Sequence, residues 1–231
     1  PFVPAGAWMR AQAYPRAGES LRDAYMREAR HVRHHVGICD VSTLGKIDVQ
    51  GKDAGEFLNR LYINGFGKLE VGKCRYGVML REDGIAYDDG TVTRLSENRY
   101  MVTTTTAHAG PVLVHMERHA QVVWPELDVK IVSGAPARLF RISFSGELAY
   151  EVNVPADYGY EVWDALMQAG KDLDIAPYGT EAMGIMRIEK GHVVGGELNG
   201  RTTASDLGFE KMLSSKKRFI GDTLKDRSAL I

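Results

Sequence analysis

Two adjacent carboxylates, Asp88 and Asp89, stand inside a segment that is otherwise apolar and β-branched. Aspartate is unfavourable in strands, and adjacent strand residues face opposite sides of a sheet. We therefore expect one side chain to point into a cleft, while the other points to solvent or caps the turn. A buried carboxylate is costly unless a partner stabilises it, so this placement suggests a functional site. A bulged turn with two solvated aspartates explains the same pattern equally well.

Another carboxylate, Glu151, begins a predicted strand that follows the polar turn of residues 145–147. If that strand is central in a sheet, Glu151 needs a hydrogen-bond donor. A ligand edge with two parallel N–H groups would suit a carboxylate, because such a pair is strong and directional. An ion pair with Arg187 or another basic residue is the alternative.

Two histidines, His31 and His35, have the spacing of four residues that can bind a metal on a helix, and Cys39 follows four residues later. Gly37 is expected to end the helix before Cys39 can join that face. We therefore interpret these residues as a solvated polar helix face and expect no metal. The chain also lacks a Walker A loop, a nucleophile elbow, a paired C-x-x-C and a strand-borne G-x-G-x-x-G.

Hydrophobic periodicity predicts the elements that must position these residues. The predicted helices cover residues 18–36, the stretch that follows 51–53, and residues 107–122, 158–168 and 181–190. The predicted strands cover residues 46–50, 74–80, 85–95, 100–106, 127–132, 137–144 and 150–154. Antiparallel hairpins mixed with packed helices indicate an α+β fold with mixed or antiparallel sheets.

The overall charge is nearly balanced, with 29 Lys and Arg against 30 Asp and Glu in 231 residues. This balance gives no electrostatic basis for binding nucleic acid or an anionic membrane. No apolar run approaches the roughly 18 residues of a membrane-spanning helix. Two cysteines in a chain of this length do not form a disulfide framework and fit a reducing compartment. We expect a cytoplasmic protein.

Several segments carry a family resemblance in the order in which they occur. They are residues 37–42, 72–76, the pair Asp88–Asp89, residues 144–151 and residues 187–191. Together they resemble the folate-binding aminomethyltransferase family, which includes the T-protein of glycine cleavage. Within that family, CDVSTLGKIDVQG, PARLFRISFSGELAYEV and GGELNGRTTASDLG are most similar to the C-terminal part of the alpha subunits of heterotetrameric sarcosine oxidases.

The resemblance implies a domain organisation. Residues 1–213 would form the aminomethyltransferase folate-binding fold, and residues 214–231 would begin a truncated C-terminal domain whose β-barrel is largely absent. The family has several tens of additional residues at the position where Ser133 meets Gly134, so we expect a missing segment there. The chain would thus be a piece of a larger protein that also has an N-terminal nucleotide-binding region.

The resemblance also implies the roles of individual residues. Asp88 matches the essential carboxylate beside the reactive folate nitrogens, and Glu151 matches the glutamate that holds the amino-pyrimidinone edge of the pterin. Four further positions match the folate pocket: Tyr76, Thr104, Phe144 and Met183. T-proteins usually have Asn at the position of Thr104, Tyr at that of Phe144 and an Arg near Met183, so these departures agree with the sarcosine oxidase branch.

The implied reaction transfers the one-carbon unit of oxidised sarcosine, an iminium, to tetrahydrofolate, which gives 5,10-methylenetetrahydrofolate and glycine. Tetrahydrofolate would bind in this domain, while FAD, FMN and NAD are expected elsewhere in a complex with the other sarcosine oxidase subunits. Two alternatives stay open. One is a free-standing aminomethyltransferase of glycine cleavage, and the other is a non-catalytic module for folate binding or interaction.

Overall fold

The computed structural model describes residues 1–133 and 138–228 and contains eleven strands and five α-helices in those ranges. The strands are β1 (Phe2–Ala5), β2 (Trp8–Ala11), β3 (Gly37–Ile38), β4 (Gly45–Gln50), β5 (Cys74–Leu80), β6 (Ala86–Ser96), β7 (Arg99–Thr104), β8 (Lys130–Ser133), β9 (Arg138–Phe140), β10 (Glu151–Asn153) and β11 (Ala176–Pro177). The helices are α1 (Leu21–His34), α2 (Ala54–Leu61), α3 (Ala109–Arg118), α4 (Gly159–Ala169) and α5 (Thr180–Lys190). Two compact units divide the chain: Pro1–Thr43 with Pro136–His192, and Leu44–Ala135 with Val193–Ile231.

The second unit is built on a five-stranded sheet in the order β5-β6-β7-β4-β8, in which every neighbouring pair is antiparallel. A tight turn at Gly84, with φ of 83°, joins β5 to β6. One face of the sheet is covered by α2, whose Phe57, Leu58 and Leu61 are fully buried. Because these three residues recur at helical spacing, one face of α2 supplies a large part of the core.

The first unit joins α1 to α5 through a small apolar cluster. Ala29 of α1 packs there with Ala182 and Met186 of α5. The side chain of Ser20 caps α1 by accepting a hydrogen bond from the backbone N–H of Asp23, which satisfies a donor that the first helical turn leaves open. Three two-stranded sheets complete the unit: β1-β2 and β9-β10 are antiparallel, and β3-β11 is parallel.

The α+β prediction is confirmed, with helices and mainly antiparallel sheets, and no closed barrel occurs among residues 1–133 and 138–228. Strand β5 has the predicted bounds, and β6 differs by one residue at each end. The predicted first helix is too long, because His35 already has an extended backbone before Gly37 is reached. The predicted strands 127–132 and 137–144 are shorter in the structure, and the hairpin β1-β2 was not predicted.

The expected missing segment between Ser133 and Gly134 lies outside the described residues. Residues 214–228 belong to the second compact unit. The proposed division into a folate-binding domain of residues 1–213 and a further domain from residue 214 stays a prediction.

A close approach between β6 and β7 occurs directly beside the two aspartates. A Cβ atom placed on Gly90 would lie 2.0 Å from the backbone oxygen of Thr103, which is far inside van der Waals contact. Since this neighbour is backbone in a paired strand, it cannot move without disturbing the sheet. Glycine at position 90 is therefore required by packing rather than by an unusual φ angle.

We expect Gly90→Ala to lower the free energy of unfolding by about 1–3 kcal/mol, because the added methyl group overpacks the strand pair. Urea denaturation followed by circular dichroism measures this change. Gly110→Ala is the matched control, since nothing lies within 4 Å of a Cβ there and alanine is the better helix former. Equal stability of the Gly90→Ala variant and the wild type would contradict the packing argument.

Candidate functional site

A β-bulge brings both aspartates into the interior. The register between β5 and β6 pairs Met79 with Asp88 but Leu80 with Ala86, so Tyr87 is an extra residue in β6. Bulges of this kind redirect side chains and are frequent beside active sites. Asp88 is 0% exposed and Asp89 is 7% exposed. The expectation that one of the two would point to solvent or cap the turn is therefore wrong.

Asp88 is held by groups at the start of the segment that follows β7. The hydroxyl of Thr105 donates to Oδ1 at 2.6 Å, and the backbone N–H of the same residue donates to Oδ2 at 3.3 Å. Nδ1 of His108 lies 3.4 Å from Oδ1. Hydrogen bonds to both carboxylate oxygens replace part of the hydration that the buried side chain has lost.

Asp89 has a different environment on the β5 side of the strand. The hydroxyl of Tyr76 donates to its Oδ2 at 2.8 Å, whereas its buried Oδ1 has no hydrogen-bond partner among the described residues. Burial, and then the negative charge of Asp88, raises the pKa of Asp89 to about 7. Burial raises the pKa of Tyr76 as well, and the adjacent Asp89 raises it further. At neutral pH Asp89 is therefore poised between its protonated and ionised forms.

His108, the residue directly before α3, is a titratable group in contact with Asp88. Its contact with Asp88 is the main cause that raises the pKa of the imidazole above its usual value, against the opposing effect of burial. An imidazole that is readily protonated balances the buried negative charge. The site thus combines a donor-stabilised carboxylate, a second carboxylate that titrates near neutral pH, and a titratable histidine.

The remaining predicted site residues have different surroundings. Thr104 is buried, and its hydroxyl donates to the backbone oxygen of Thr105 at 3.0 Å. Its hydroxyl therefore does not face Asp88 in the way that the hydroxyl of Thr105 does. Phe144, Glu151 and Met183 are half-buried and belong to the first unit, where the Phe144 ring centroid lies 5.5 Å from that of His192.

Two residues that contact Asp88, Thr105 and His108, were missed by sequence reasoning. Thr105 stands among four consecutive threonines, and only their different backbone positions tell them apart. His108 stands alone between alanines in a predicted helix. The sequence offered only an indirect signal for these two residues. A carboxylate that is expected to be buried requires hydrogen-bond donors, and the segment after β7 contains side chains that can donate.

The histidines of α1 form a group with a residue that is distant in sequence. Potential ligand atoms of His31, His35 and Asp174 lie within 4.8 Å of one another, and Cys39 is not in that group. Nε2 of His31 already contacts the backbone oxygen of Asp174 at 2.7 Å. Since His35 and Asp174 are exposed, this arrangement also suits the solvated polar face that we predicted.

Comparison with protein families identifies the chain. The model described as the GCVT N-terminal domain matches residues 1–133 and 126–217, which together make up most of the chain. The chain therefore belongs to the GCVT aminomethyltransferase domain family. The predicted resemblance to this family is confirmed.

Two curated relatives and one solved structure refine this placement. The chain is 48% identical to the sarcosine oxidase subunit alpha of Rhizobium meliloti (strain 1021), in an alignment that covers 99% of this chain and 28% of that protein. It is 30% identical to the aminomethyltransferase of Streptomyces coelicolor, over 82% of this chain and 62% of that protein. The crystal structure of the glycine cleavage system aminomethyltransferase T from Bartonella henselae superposes with a TM-score of 0.84 at 20% identity, over 97% of this chain and 69% of that one.

These comparisons show an aminomethyltransferase-like domain related to the alpha subunits of sarcosine oxidases. The chain spans little more than a quarter of the length of the sarcosine oxidase subunit to which it is similar. The superposition shows that the fold is shared with an aminomethyltransferase. No helix in the described part of the chain has the length and apolar composition to cross a membrane.

The environment of Asp89 predicts a pH dependence of stability. Its pKa is 3.8 in an ordinary setting and about 7 in the fold, so folding favours the protonated form. Wild-type stability contributed by this group is therefore present at low pH and is lost as the pH rises from 3.8 to about 7. We expect the free energy of unfolding of Asp89→Asn, measured relative to that of the wild type, to increase by on the order of 3 kcal/mol as the pH rises from 4 to 8.

Urea denaturation of both proteins across this pH range measures the effect. Asp172→Asn serves as the matched control, because Asp172 is exposed and the same substitution there removes one solvated charge. A stability difference between Asp89→Asn and the wild type that is the same at every pH would contradict the raised pKa.

Proposed function

We propose that this chain is the folate-binding domain of a sarcosine oxidase alpha subunit. In this role it transfers the one-carbon unit of oxidised sarcosine, an iminium, to tetrahydrofolate and yields 5,10-methylenetetrahydrofolate and glycine. The observation that carries the proposal is the buried Asp88, held by Thr105 and His108 in a chain that is 48% identical to a sarcosine oxidase alpha subunit. A buried, donor-stabilised carboxylate is the group that this chemistry needs.

Each step of the transfer places a demand on Asp88. The iminium carries a positive charge, which a buried carboxylate stabilises more strongly than solvent does. The attacking amine loses a proton when it bonds to the carbon, and the nitrogen of the departing glycine must gain one. A carboxylate within hydrogen-bond reach of both nitrogens can take the proton that the attacking amine loses. It can then deliver a proton to the nitrogen of the departing glycine.

The protein residues present fit a folate ligand in two respects. The buried Oδ1 of Asp89 has no partner among the described residues and can accept a hydrogen bond from a ligand N–H. A carboxylate such as Glu151 can pair with two parallel N–H groups, the pattern of an amino-pyrimidinone edge. Tetrahydrofolate supplies two nitrogens that accept the one-carbon unit. We propose Glu151 as the group that orients the pterin, with Tyr76, Thr104, Phe144 and Met183 as further contacts.

The complete reaction requires parts that lie outside this chain. Oxidation of sarcosine to the iminium needs a redox cofactor, and we propose that FAD, FMN and NAD bind elsewhere in a complex with the other sarcosine oxidase subunits. The balanced charge of the chain favours a small-molecule substrate over nucleic acid or an anionic membrane. We further propose a cytoplasmic location, which fits the absence of a disulfide between Cys39 and Cys74 in the described part of the chain.

A second candidate is a free-standing aminomethyltransferase of glycine cleavage. The 30% identity to the Streptomyces coelicolor aminomethyltransferase and the shared fold favour it. The one-carbon donor would then be an aminomethyl group on a carrier protein instead of an iminium. The remaining alternative is a protein of the same fold that binds folate but catalyses no reaction. In that case, variants of Asp88 would leave every rate unchanged.

We expect Asp88→Asn, in the complete enzyme complex, to lower the rate of methylenetetrahydrofolate formation by roughly 10²-fold or more, because the amide neither balances the positive charge nor accepts a proton. Sarcosine oxidation should continue, and the uncaptured iminium should react with water to give formaldehyde and glycine. Rapid-quench assays of both products measure this redirection.

Glu151→Gln is the matched variant for binding. We expect tetrahydrofolate affinity, measured by calorimetry, to fall more in Glu151→Gln than in Asp88→Asn. Unchanged methylenetetrahydrofolate formation in Asp88→Asn would overturn the catalytic assignment. A complex that uses an aminomethylated carrier protein, and not sarcosine, as the donor would support the second candidate.

A further inference from the structure

His108 forms a bridge between the buried carboxylate of Asp88 and the protein surface. Its Nδ1 is itself buried, lies 3.4 Å from Oδ1 of Asp88 and makes no hydrogen bond among the described residues. One third of the side chain is exposed, whereas Asp88 has no exposure at all. The imidazole thus gives the buried carboxylate a titratable neighbour that reaches solvent.

The same bulge that buries Asp88 also positions this imidazole. Tyr87, the extra residue of the bulge, stacks on His108 with the ring centroids 6.0 Å apart and an interplanar angle of 21°. His108 directly precedes α3, and its side chain makes no capping hydrogen bond to that helix. Since the ring is held by Tyr87 and faces Asp88, its position is coupled to that of the carboxylate.

The charges that surround His108 favour a titratable imidazole. Asp88 contacts it from β6 and is the main cause that raises its pKa, and the negative charge of Asp89 raises that pKa further. On the α3 side, Tyr87 also contacts His115, with ring centroids 4.9 Å apart. Burial lowers the pKa of His115 to about 4, so this second histidine is neutral near physiological pH and does not compete for the charge.

The proposed reaction moves two protons, and a second proton-accepting group beside Asp88 can share that task. Two folate nitrogens each lose one N–H proton when they bond to the carbon, and the departing nitrogen gains two protons to leave as glycine. One carboxylate holds one proton at a time. A neighbouring base lets the site hold both protons at once, so that the second amine can lose its proton before the first has reached the departing nitrogen.

We infer that His108 is this second group: it accepts from Asp88 the proton that the attacking amine loses, and it returns that proton through Asp88 to the departing nitrogen. The inference rests on the proposed function. The transfer consumes no oxidant or reductant, because every proton removed from a folate nitrogen ends on glycine. His108 acts through Asp88 and is thus a positioning and proton-transfer residue.

The reaction test uses the complete complex with two substitutions, His108→Gln and His108→Ala. We expect His108→Gln to lower the single-turnover rate of methylenetetrahydrofolate formation by roughly 10²-fold and to leave the affinity for tetrahydrofolate within a factor of about two. The part of the pH–rate profile that reflects ionisation of the imidazole should disappear. Added imidazole should restore the rate of His108→Ala by about tenfold, which a purely structural role would not allow.

His34→Gln is the matched control, because His34 is exposed on α1 and the substitution is chemically the same. Sarcosine oxidation, methylenetetrahydrofolate formation and thermal unfolding should be unchanged in this control. A wild-type pH profile and rate in His108→Gln, or no rescue of a folded His108→Ala variant, would overturn the inference.

A second measurement separates this inference from the proposed function. In the 231-residue chain, the imidazole pKa of His108 is followed by nuclear magnetic resonance, and it should fall in Asp88→Asn because the carboxylate is its main stabilising partner. An unchanged value would refute the coupling whatever the reaction. If the coupling holds but the wild-type complex forms no methylenetetrahydrofolate, the proposed function fails and the proton-transfer role fails with it.

Discussion

The burial of one negative charge, on Asp88, is the constraint on which the rest of the site depends. A carboxylate with no solvent contact is stable only if protein donors replace the lost hydration. The donors come from Thr105, immediately after β7, and they reach Asp88 only because β6 and β7 pair closely beside Gly90. Three features thus act together to place donors beside this carboxylate: the sheet register, Gly90 and the segment that leads into α3.

Two adjacent carboxylates in one strand have different environments, and this difference separates their chemistry. Asp88 receives two hydrogen bonds from Thr105, whereas Asp89 receives one from Tyr76 and keeps one buried oxygen without a partner among the described residues. Burial is the main cause that raises the pKa of Asp89, and the nearby negative charge of Asp88 raises it further because like charges close together resist joint ionisation. A carboxylate whose pKa is raised towards neutral pH is typical of acid–base sites.

Local sequence signals predicted the framework around this site well. The strand 74–80, the turn at Gly84 and the long returning strand follow from residue alternation and turn chemistry, and the structure has them at nearly the predicted bounds. The hairpin β1-β2 escaped prediction because its residues, FVPAGAWMRA, contain a proline and lack regular alternation. Strands β8 and β9 are shorter than predicted, since pairing with a neighbour, and not propensity, sets where a strand ends.

The sequence by itself determined the α+β class, the family and the candidate carboxylate Asp88, because each depends on residue types in a fixed order. Only the tertiary structure decided that Asp88 and Asp89 are both buried, that Thr105 and not Thr104 donates to Asp88, and that His108 faces it. The physical reason is the bulge at Tyr87, which breaks the strict alternation of strand side chains. Contacts between residues 17 to 20 positions apart depend on that register, and no local pattern encodes it.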